Sequence, residues 1–407
     1  MKTLKQIIHV DKERYKIFID FSKYSNNLYN YSLYVVKQYY KETGDYIGFK
    51  KLYHEVKNNE NYKMLPSQCA NRIVKLVDQN FRSFFSKLKK KLKGQYDNRV
   101  SSPNFRKKGS LFNIVYTNQF AFIRNNRIDF TKSINYSKLN NTKLYIDFTY
   151  KLDGKMKQIL LKPINNGQYF IMYINYEENK KNNPILNKNK YLSIDLGVDN
   201  LCSCVDISSG HSFILNGKPL KSYNRWYNKK SAERRSEIKL KNNLNWCKNL
   251  TKLNVKRSNY IDNYFNQSVN ILIKYCLRKN IGNIIFGYNE SWKNGTNMGK
   301  INNQKFNHIP YLLLKTKLKN KDVVDVIFQE ESYTSKCSFI DKEKIENHEN
   351  YLGKRIERGL FKTSSGKLIN ADINGSANIA KKVIGDVIYN QPIEDLMFNP
   401  IKINIFF

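Results

Sequence analysis

Acidic residues are scarce in this chain. Its 407 residues include 34 Asp and Glu against 71 Lys and Arg, with five His, for a formal net charge of +37. So strong a field repels itself unless a polyanion is near, and it speaks to partners more than to fold. Long apolar runs are missing: nothing approaches the roughly 18 residues that span a bilayer, so a membrane is not the expected polyanion. The opening Met1–Gln6 has no signal-peptide core, and Asp11, Lys12 and Glu13 follow at once, so an intracellular protein is expected. Cysteine is sparse as well. Cys69, Cys202, Cys204, Cys247, Cys276 and Cys337 form no Cys-x-x-Cys pair, which weakens zinc-finger and disulfide-framework readings. Cys202 and Cys204 would share one face of a strand, a core placement more often than a ligand pair.

Apolar and aromatic residues are plentiful, at 41% and 14% of the chain. They supply a core and exclude a wholly disordered polycation. The length suggests about two or three domains. The basic residues are interleaved with 29 Tyr and 23 Phe, a mixture suited to phosphate contacts and base stacking. The plainer alternative is a solvated basic surface.

Along the chain, Tyr15–Ile19 reads as a short strand-like piece and Tyr29–Tyr40 as an amphipathic stretch. Pro66-Ser67 reads as a helix start with Ser at the cap. Ile73, Val74, Val77, Phe81, Phe84, Phe85 and Leu88 then recur at helical spacing, with Arg72, Lys75, Arg82, Lys87 and Lys89 opposite. That basic face is either simply solvated or tracks a nucleic-acid backbone. Residues 110–178 look like strands and turns, with Asn165-Asn166-Gly167 as one turn. Glu177–Lys190 is polar and reads as a linker. Strands are expected at 191–196, 201–206, 212–215, 284–287 and 323–328, long basic helices over 228–280, and a last helix from Ala371 to about Ile384. The 386–407 tail is expected to be partly ordered.

Asp195 lies inside the apolar run Leu192–Gly197, where burial of a charge costs free energy unless something pairs with it. A buried, hydrogen-bonded Asp is the ordinary explanation. Glu330-Glu331 follows the run at 323–328, and Asp372 opens the last helix, where an Asp is ordinarily a cap. Hairpin strands followed by separated acids on a later strand and a final helix are the layout of a ribonuclease H-like nuclease, whose carboxylates hold two Mg²⁺ ions.

At these residues the chain resembles a known family. Tyr191-Leu-Ser-Ile-Asp195-Leu-Gly-Val-Asp-Asn200 looks like the first motif of a RuvC-type nuclease domain. Gly287–Lys293, Asn302–Phe306, Ile309–Tyr311, Glu331–Glu343, Arg355–Phe361 and Ile369–Gly375 with Asn378-Ile379 resemble, in order, blocks of the transposon-encoded TnpB proteins. Leu65–Gln68, Phe84-Phe85 and Pro103–Lys108 are similar to the family's N-terminal part. The resemblance implies an RNA-guided DNA endonuclease related to type V CRISPR effectors. A guide RNA reads target double-stranded DNA by base pairing, and protein reads a short adjacent motif. It implies a prokaryotic, cytoplasmic, nucleoid-associated protein, with a monomer favoured. The implied fold is a multidomain α/β and α+β chain. Residues 1–185 would form a wedge β-barrel with an inserted helical recognition domain at about 25–110. Residues 186–335 would form a RuvC-like domain with basic helices 228–280. Residues 336–368 would be a target-nucleic-acid-binding insert, 369–385 the last RuvC motif and helix, and 386–407 a tail.

Two departures from the family pattern carry consequences. Most relatives have the middle catalytic Glu where this chain has Gly287. Glu331-Ser-Tyr-Thr-Ser335 matches an alternative Glu-x-x-Thr-Ser motif, and Gly287 would leave room for its carboxylate. The expected triad, binding Mg²⁺ with Mn²⁺ as a substitute, is Asp195, Glu331 and Asp372. Glu330 is expected to point the other way. One ion would activate water and the other would stabilise the leaving 3′ oxygen, giving a 5′ phosphate end. The second departure concerns zinc. Many relatives have two Cys-x-x-Cys pairs, whereas here Cys337 stands alone and no structural zinc is expected. Expected nucleic-acid contacts are Gln68, Arg72, Lys75, Thr117, Asn118 and Gln119 for the adjacent motif, and Lys229, Lys230, Arg234 and Arg235 along the basic helices. Trp292 and Lys293 are further candidates, with Trp292 as simple core the alternative. A nuclease-inactive RNA-guided repressor is the second reading, but it would need none of the three acids. A DNA-moving transposase lacks a His/Tyr nucleophile constellation here, and a stand-alone RNA-binding protein would leave the acids unexplained.

Overall fold

The structure is a computed structural model that describes residues 2–96, 98–148, 150, 152–164, 166–179, 184–244, 246–288, 309–391 and 400–405. The chain divides into two compact units, Met1–Lys181 and Asn182–Phe407.

The first unit opens with β1 (Lys2–Ile7) and a long helix, α1 (Lys12–Thr43). Asp11 caps α1 by accepting from the Arg14 amide at 2.9 Å, and Gly44 closes it in the left-handed region at φ 73°. Ile17, Phe18, Phe21, Leu28, Leu33 and Val36 form its buried stripe. Tyr15–Ile19, strand-like in isolation, therefore lies within α1: five alternating residues yield to a cap and a longer helical period. Next come α2 (Gly48–Val56), α3 (Glu60–Met64) and α4 (Ser67–Leu92). Pro66 itself occupies the cap position of α4 and makes no side-chain cap bond, so Ser67 is the first helical residue. Cys69, Ala70, Ile73, Val74, Val77 and Phe81 are buried along α4.

The strands that follow are β2 (Ile114–Thr117), β3 (Ala121–Arg124) and β4 (Arg127–Phe130). After α5 (Ile134–Leu139) come β5 (Tyr145–Asp147), β6 (Gly154–Ile164) and β7 (Tyr169–Glu178). Among the described residues they form two open sheets, β1-β7-β6-β2 and β3-β4-β5, and not the expected closed barrel. Closure would need the edge strands β1 and β2 to pair. The four residues of β2 pair only with β6. The β3–β4 hairpin turns on Asn125 and Asn126, both at positive φ (44° and 57°), as a two-residue loop between twisted strands requires.

The second unit is built on one six-stranded sheet, ordered β12-β11-β8-β9-β10-β16. β8 (Asn187–Leu196), β9 (Asn200–Asp206) and β10 (Ser212–Asn216) form an antiparallel meander. Two helices, α6 (Lys218–Asn242) and α7 (Lys248–Lys279), precede β11 (Ile281–Gly287), which pairs in parallel with β8. Then come α8 (Tyr311–Lys319) and β12 (Asp325–Gln329), which is parallel to β11. A small sheet of β13 (Lys354–Glu357), β14 (Leu360–Lys362) and β15 (Leu368–Asn370) leads into α9 (Ala371–Ile384), a 3₁₀ turn at Asp386–Asn390 and β16 (Ile401–Ile403). The polar stretch expected to link 177 to 190 is thus partly strand: β7 runs to Glu178 and β8 starts at Asn187.

The large sheet is covered on both faces, which is why its strands read as nearly continuous apolar runs. Leu192, Ile194 and Phe286 pack with Tyr264, Leu272 and Leu314 from α7 and α8. Val205 and Ile285 pack with Ile373, Ala377 and Ala380 of α9 on the other side. Cys202 and Cys204 are both buried in the first of these cores. α6 buries little apolar surface beyond Leu220. No helix among the described residues is long and apolar enough to cross a membrane.

Candidate active site

Alternation along β8 decides where its polar side chains go. Leu192, Ile194 and Leu196 enter the core under α7 and α8. Ser193 and Asp195 therefore face α9, where the Ser193 hydroxyl donates to the Ser376 carbonyl at 2.6 Å. A Cβ on Gly375 of α9 would stand 3.2 Å from Asp195 Oδ2, so the bare glycine lets the helix lie close against this carboxylate.

Gly287 ends β11 one step beyond the Phe286–Ile194 pairing, beside Asp195. A Cβ here would stand 2.2 Å from Glu331 Oε1 and 2.6 Å from Ile379 Cδ1. The space left by the missing side chain is filled by the Glu331 carboxyl, which arrives from the turn just after β12. That turn is held from α9. Asn378 donates to the carbonyls of Thr334 (2.9 Å) and Cys337 (2.7 Å). Asn374 donates to the Cys337 carbonyl and accepts from the Phe339 amide, each at 2.9 Å.

Asp372 sits in the first turn of α9 without capping it. The cap is Asn370, which accepts from the Asp372 and Ile373 amides at 3.0 and 3.1 Å. The Asp372 carboxylate is thereby left for other partners: Asn200 Nδ2 at 2.8 Å and an Arg355 guanidinium nitrogen at 2.9 Å. Nearby, Asp199 pairs with Lys221 at 2.6 Å and also with Arg358.

Burial and mutual repulsion both act on the acids. Burial and the neighbouring Asp372 push Asp195 up to about 8. Burial, with Asp195 and then Glu330 adding, pushes Glu331 up to about 9. Glu330 behaves oppositely. Slight burial acts to raise it, but hydrogen bonds from Ser332 and Lys382 outweigh this and leave it below the usual range. Its carboxylate faces outward and meets Lys382 at 2.9 Å.

Three carboxylates with no softer donor suit a hard divalent cation such as Mg²⁺, whose charge would relieve their mutual repulsion. Among the described residues no three acidic, His or Cys side chains already stand at metal-holding distances. Asp372 is turned to Asn200 and Arg355 instead. Asn200 and Arg355 were not legible as partners of Asp372, because their pairing depends on how distant segments come together. The sequence signal for Asn374 and Asn378 is their spacing of one helical turn on α9.

The expected nucleic-acid contacts are spread over both units. In the first, Gln68 and Gln119 meet through a 3.1 Å amide hydrogen bond; Arg72, Lys75 and Asn118 are exposed, while Thr117 is buried. In the second, Lys229, Lys230, Arg234 and Arg235 are exposed on α6. Lys230 and Arg234 are paired with Glu233 and Glu237, at 3.0 and 2.7 Å. Trp292 and Lys293 lie outside the described residues, as does most of the block from Gly287 to Phe306.

Residues 173–293 match the family model OrfB_IS605, described as a probable transposase. The chain has the fold of the Cas12f1 protein in a cryo-EM structure of a Cas12f1–sgRNA–target DNA complex. The two align with a TM-score of 0.61 at 16% identity, over 91% of this chain and 83% of that one. A chain from a CRISPR-Cas12f ternary complex aligns at 14% identity over 89% and 80%, with a TM-score of 0.38. No curated protein matches. With the family match falling on the β7–β11 region and the ordered motifs running on through α9, the chain is similar to the TnpB-like proteins.

Proposed function

We propose that this protein is an RNA-guided DNA endonuclease: it binds a guide RNA, recognises a short target-adjacent motif with guide-complementary DNA, and hydrolyses the DNA. The observation that carries the reading is the approach of Asp195, Glu331 and Asp372 from three separate elements, with Gly287 yielding its side-chain volume to Glu331. A DNA-binding repressor has no use for a half-buried cluster of like charges, which costs stability.

The sheet order supports a ribonuclease H-like, RuvC-type unit. An antiparallel meander is extended past β8 by parallel β11 and β12. In this reading the first unit serves as wedge and recognition region, the basic pair α6–α7 borders the guide or heteroduplex, and 336–368 is a target-strand insert. That a protein of the same fold was solved with sgRNA and target DNA supports nucleic acid as the polyanion that answers the +37 charge. The protein would act as a monomer in the prokaryotic cytoplasm, at the nucleoid.

Asp195, Glu331 and Asp372 would hold Mg²⁺ ions, with Mn²⁺ able to substitute. When bound, the ions would supply a more acidic attacking water and charge stabilisation at the phosphate. The protein's own part is positional. Asn370 keeps the α9 N-terminus capped, so that Asp372 is not consumed as a cap. Gly375 and Gly287 admit Asp195 and Glu331 to one small volume. Asn374 and Asn378 fix the turn that carries Glu331. Water attacks phosphorus, the 3′ oxygen leaves, and the other end retains a 5′ phosphate.

We further propose that the 336–368 insert needs no zinc. Its support is a set of hydrogen bonds. Glu343 accepts from the Ser338 and Leu352 amides at 2.6 and 2.9 Å, and Asp341 accepts from the Ser364 amide at 2.9 Å and hydroxyl at 2.6 Å. Stoichiometric zinc in pure protein would refute this.

The function is tested by purifying the protein from cells carrying its native flanking DNA and sequencing the RNA that stays bound. One discrete RNA ending in variable sequence is expected. A smear of ribosomal and messenger fragments would contradict the guide.

A further inference from the structure

The first unit contains a cleft of about 670 Å³ that the candidate active site does not use. Its walls come from the β3–β4 hairpin, from Phe148, Tyr150 and Leu152, and from the start of β6. The hairpin lines the cleft continuously from Ala121 to Asn126, and Tyr150, Lys155 and Met156 stand on the other side. Tyr150 is 52% exposed, its ring 6.1 Å from that of Phe148, so an aromatic surface stands open at the cleft. The Arg124 guanidinium lies over the Phe122 ring at 5.4 Å. Lys155 adds a second cation, and its cross-strand neighbour Glu177 is engaged by Lys157 at 2.6 Å. Asn118 and Asn126 bring amide groups to the same cleft.

Aromatic faces, cations and amides in one concave site match the three parts of a nucleotide: a stacking face, a phosphate, and a polar base edge. Sugars would use the amides but not the cations. An acidic peptide would use the cations but leave the flat faces idle. We propose that this cleft holds an unpaired nucleotide of a single-stranded RNA. The inference rests on the reading of the protein as RNA-guided, in which RNA is the standing partner and a preformed pocket in the free protein has an occupant to receive. The base stacks against Tyr150 and Phe122, Arg124 and Lys155 take the flanking phosphates, and the Asn amides meet the base edge.

The test uses the full chain with a single-stranded RNA decamer carrying one 4-thiouridine, cross-linked by ultraviolet light in high salt and mapped by mass spectrometry. A DNA decamer with 4-thiothymidine serves as the second arm. Cross-links are expected on peptides covering 122–126 and 148–156, and more strongly with RNA. Tyr150→Ala should lower RNA affinity about tenfold and remove the cross-links, while Tyr150→Trp should preserve both. Because Tyr150 is exposed, its truncation leaves the core intact, and an unchanged thermal midpoint verifies this. Cross-links that avoid both peptides, or a DNA arm as strong as the RNA arm, would overturn the proposal. RNA-dependent target cutting by a protein whose cleft never cross-links would refute the cleft alone. Cleft cross-linking without any guided cutting would refute the guided function and leave the pocket standing.

Discussion

Glu330 and Glu331 are neighbours in the chain and opposites in environment. One reaches outward to Lys382, and the other fills the hollow at Gly287. Glu331→Gln is expected to lower Mg²⁺-dependent cleavage by at least about 100-fold, because it would remove a proposed ligand carboxylate, whereas Glu330→Gln should leave the rate within a few-fold. Gly287→Ala adds a Cβ 2.2 Å from Glu331 Oε1 and must displace that carboxyl. Cleavage should fall by about tenfold or more in a kinetic assay, with a smaller effect on folding. The pair Asp195 and Glu331 also sets a pH dependence. Both are raised in the folded protein, to about 8 and about 9, so between their ordinary values and these the folded chain binds more protons than the unfolded one. Their contribution to the stability of the metal-free protein should therefore be fully present below about pH 4 and fall as pH rises toward 9. Thermal melts in EDTA should show this slope, and Glu331→Gln should flatten it and raise the midpoint at pH 8. These acids are legible in the sequence because a charge in an apolar strand, or beside one, needs a reason. Arg355 on Asp372 is not legible, since nothing local in Arg355-Ile-Glu-Arg358 marks its partner 17 residues on.

The last helix, α9, does more than carry Asp372. Its glycine lies against Asp195, and its two asparagines hold the carbonyls of the segment bearing Glu331. Asn378→Ala removes both donor contacts from buried carbonyls and should cost roughly 1–3 kcal/mol, read as a lower unfolding midpoint. Cleavage should drop with it, because the Glu331 turn loses its anchor. Long periodic elements such as α4, α7 and α9 are readable from spacing alone. Short ones are not. The alternation at Tyr15–Ile19 is absorbed by the helix that surrounds it, and four-residue β2 cannot announce whether its sheet closes.

Across the whole chain, the excess of 37 positive charges predicts nucleic-acid binding that weakens steeply with salt. The cations are not equivalent. Lys230 and Arg234 on α6 are already paired with Glu233 and Glu237, whereas Lys229 and Arg235 make no ion pair among the described residues. Alanine at Lys229 or Arg235 should each reduce the salt slope of RNA binding by about one, and alanine at Lys230 or Arg234 by less. Composition makes the partner class legible, since charge is a sum over residues and needs no fold. The division into two units at 181/182 falls within the polar 177–190 stretch that reads as a linker.

The most direct test of the central claim is cleavage of a guide-matched DNA duplex by the RNA-loaded protein, with and without Mg²⁺, for the native chain, Glu331→Gln and Glu330→Gln. The account predicts Mg²⁺-dependent cutting by the native chain and Glu330→Gln, and none by Glu331→Gln or on mismatched DNA. Cutting by Glu331→Gln at the native rate, or its loss in Glu330→Gln alone, would contradict it.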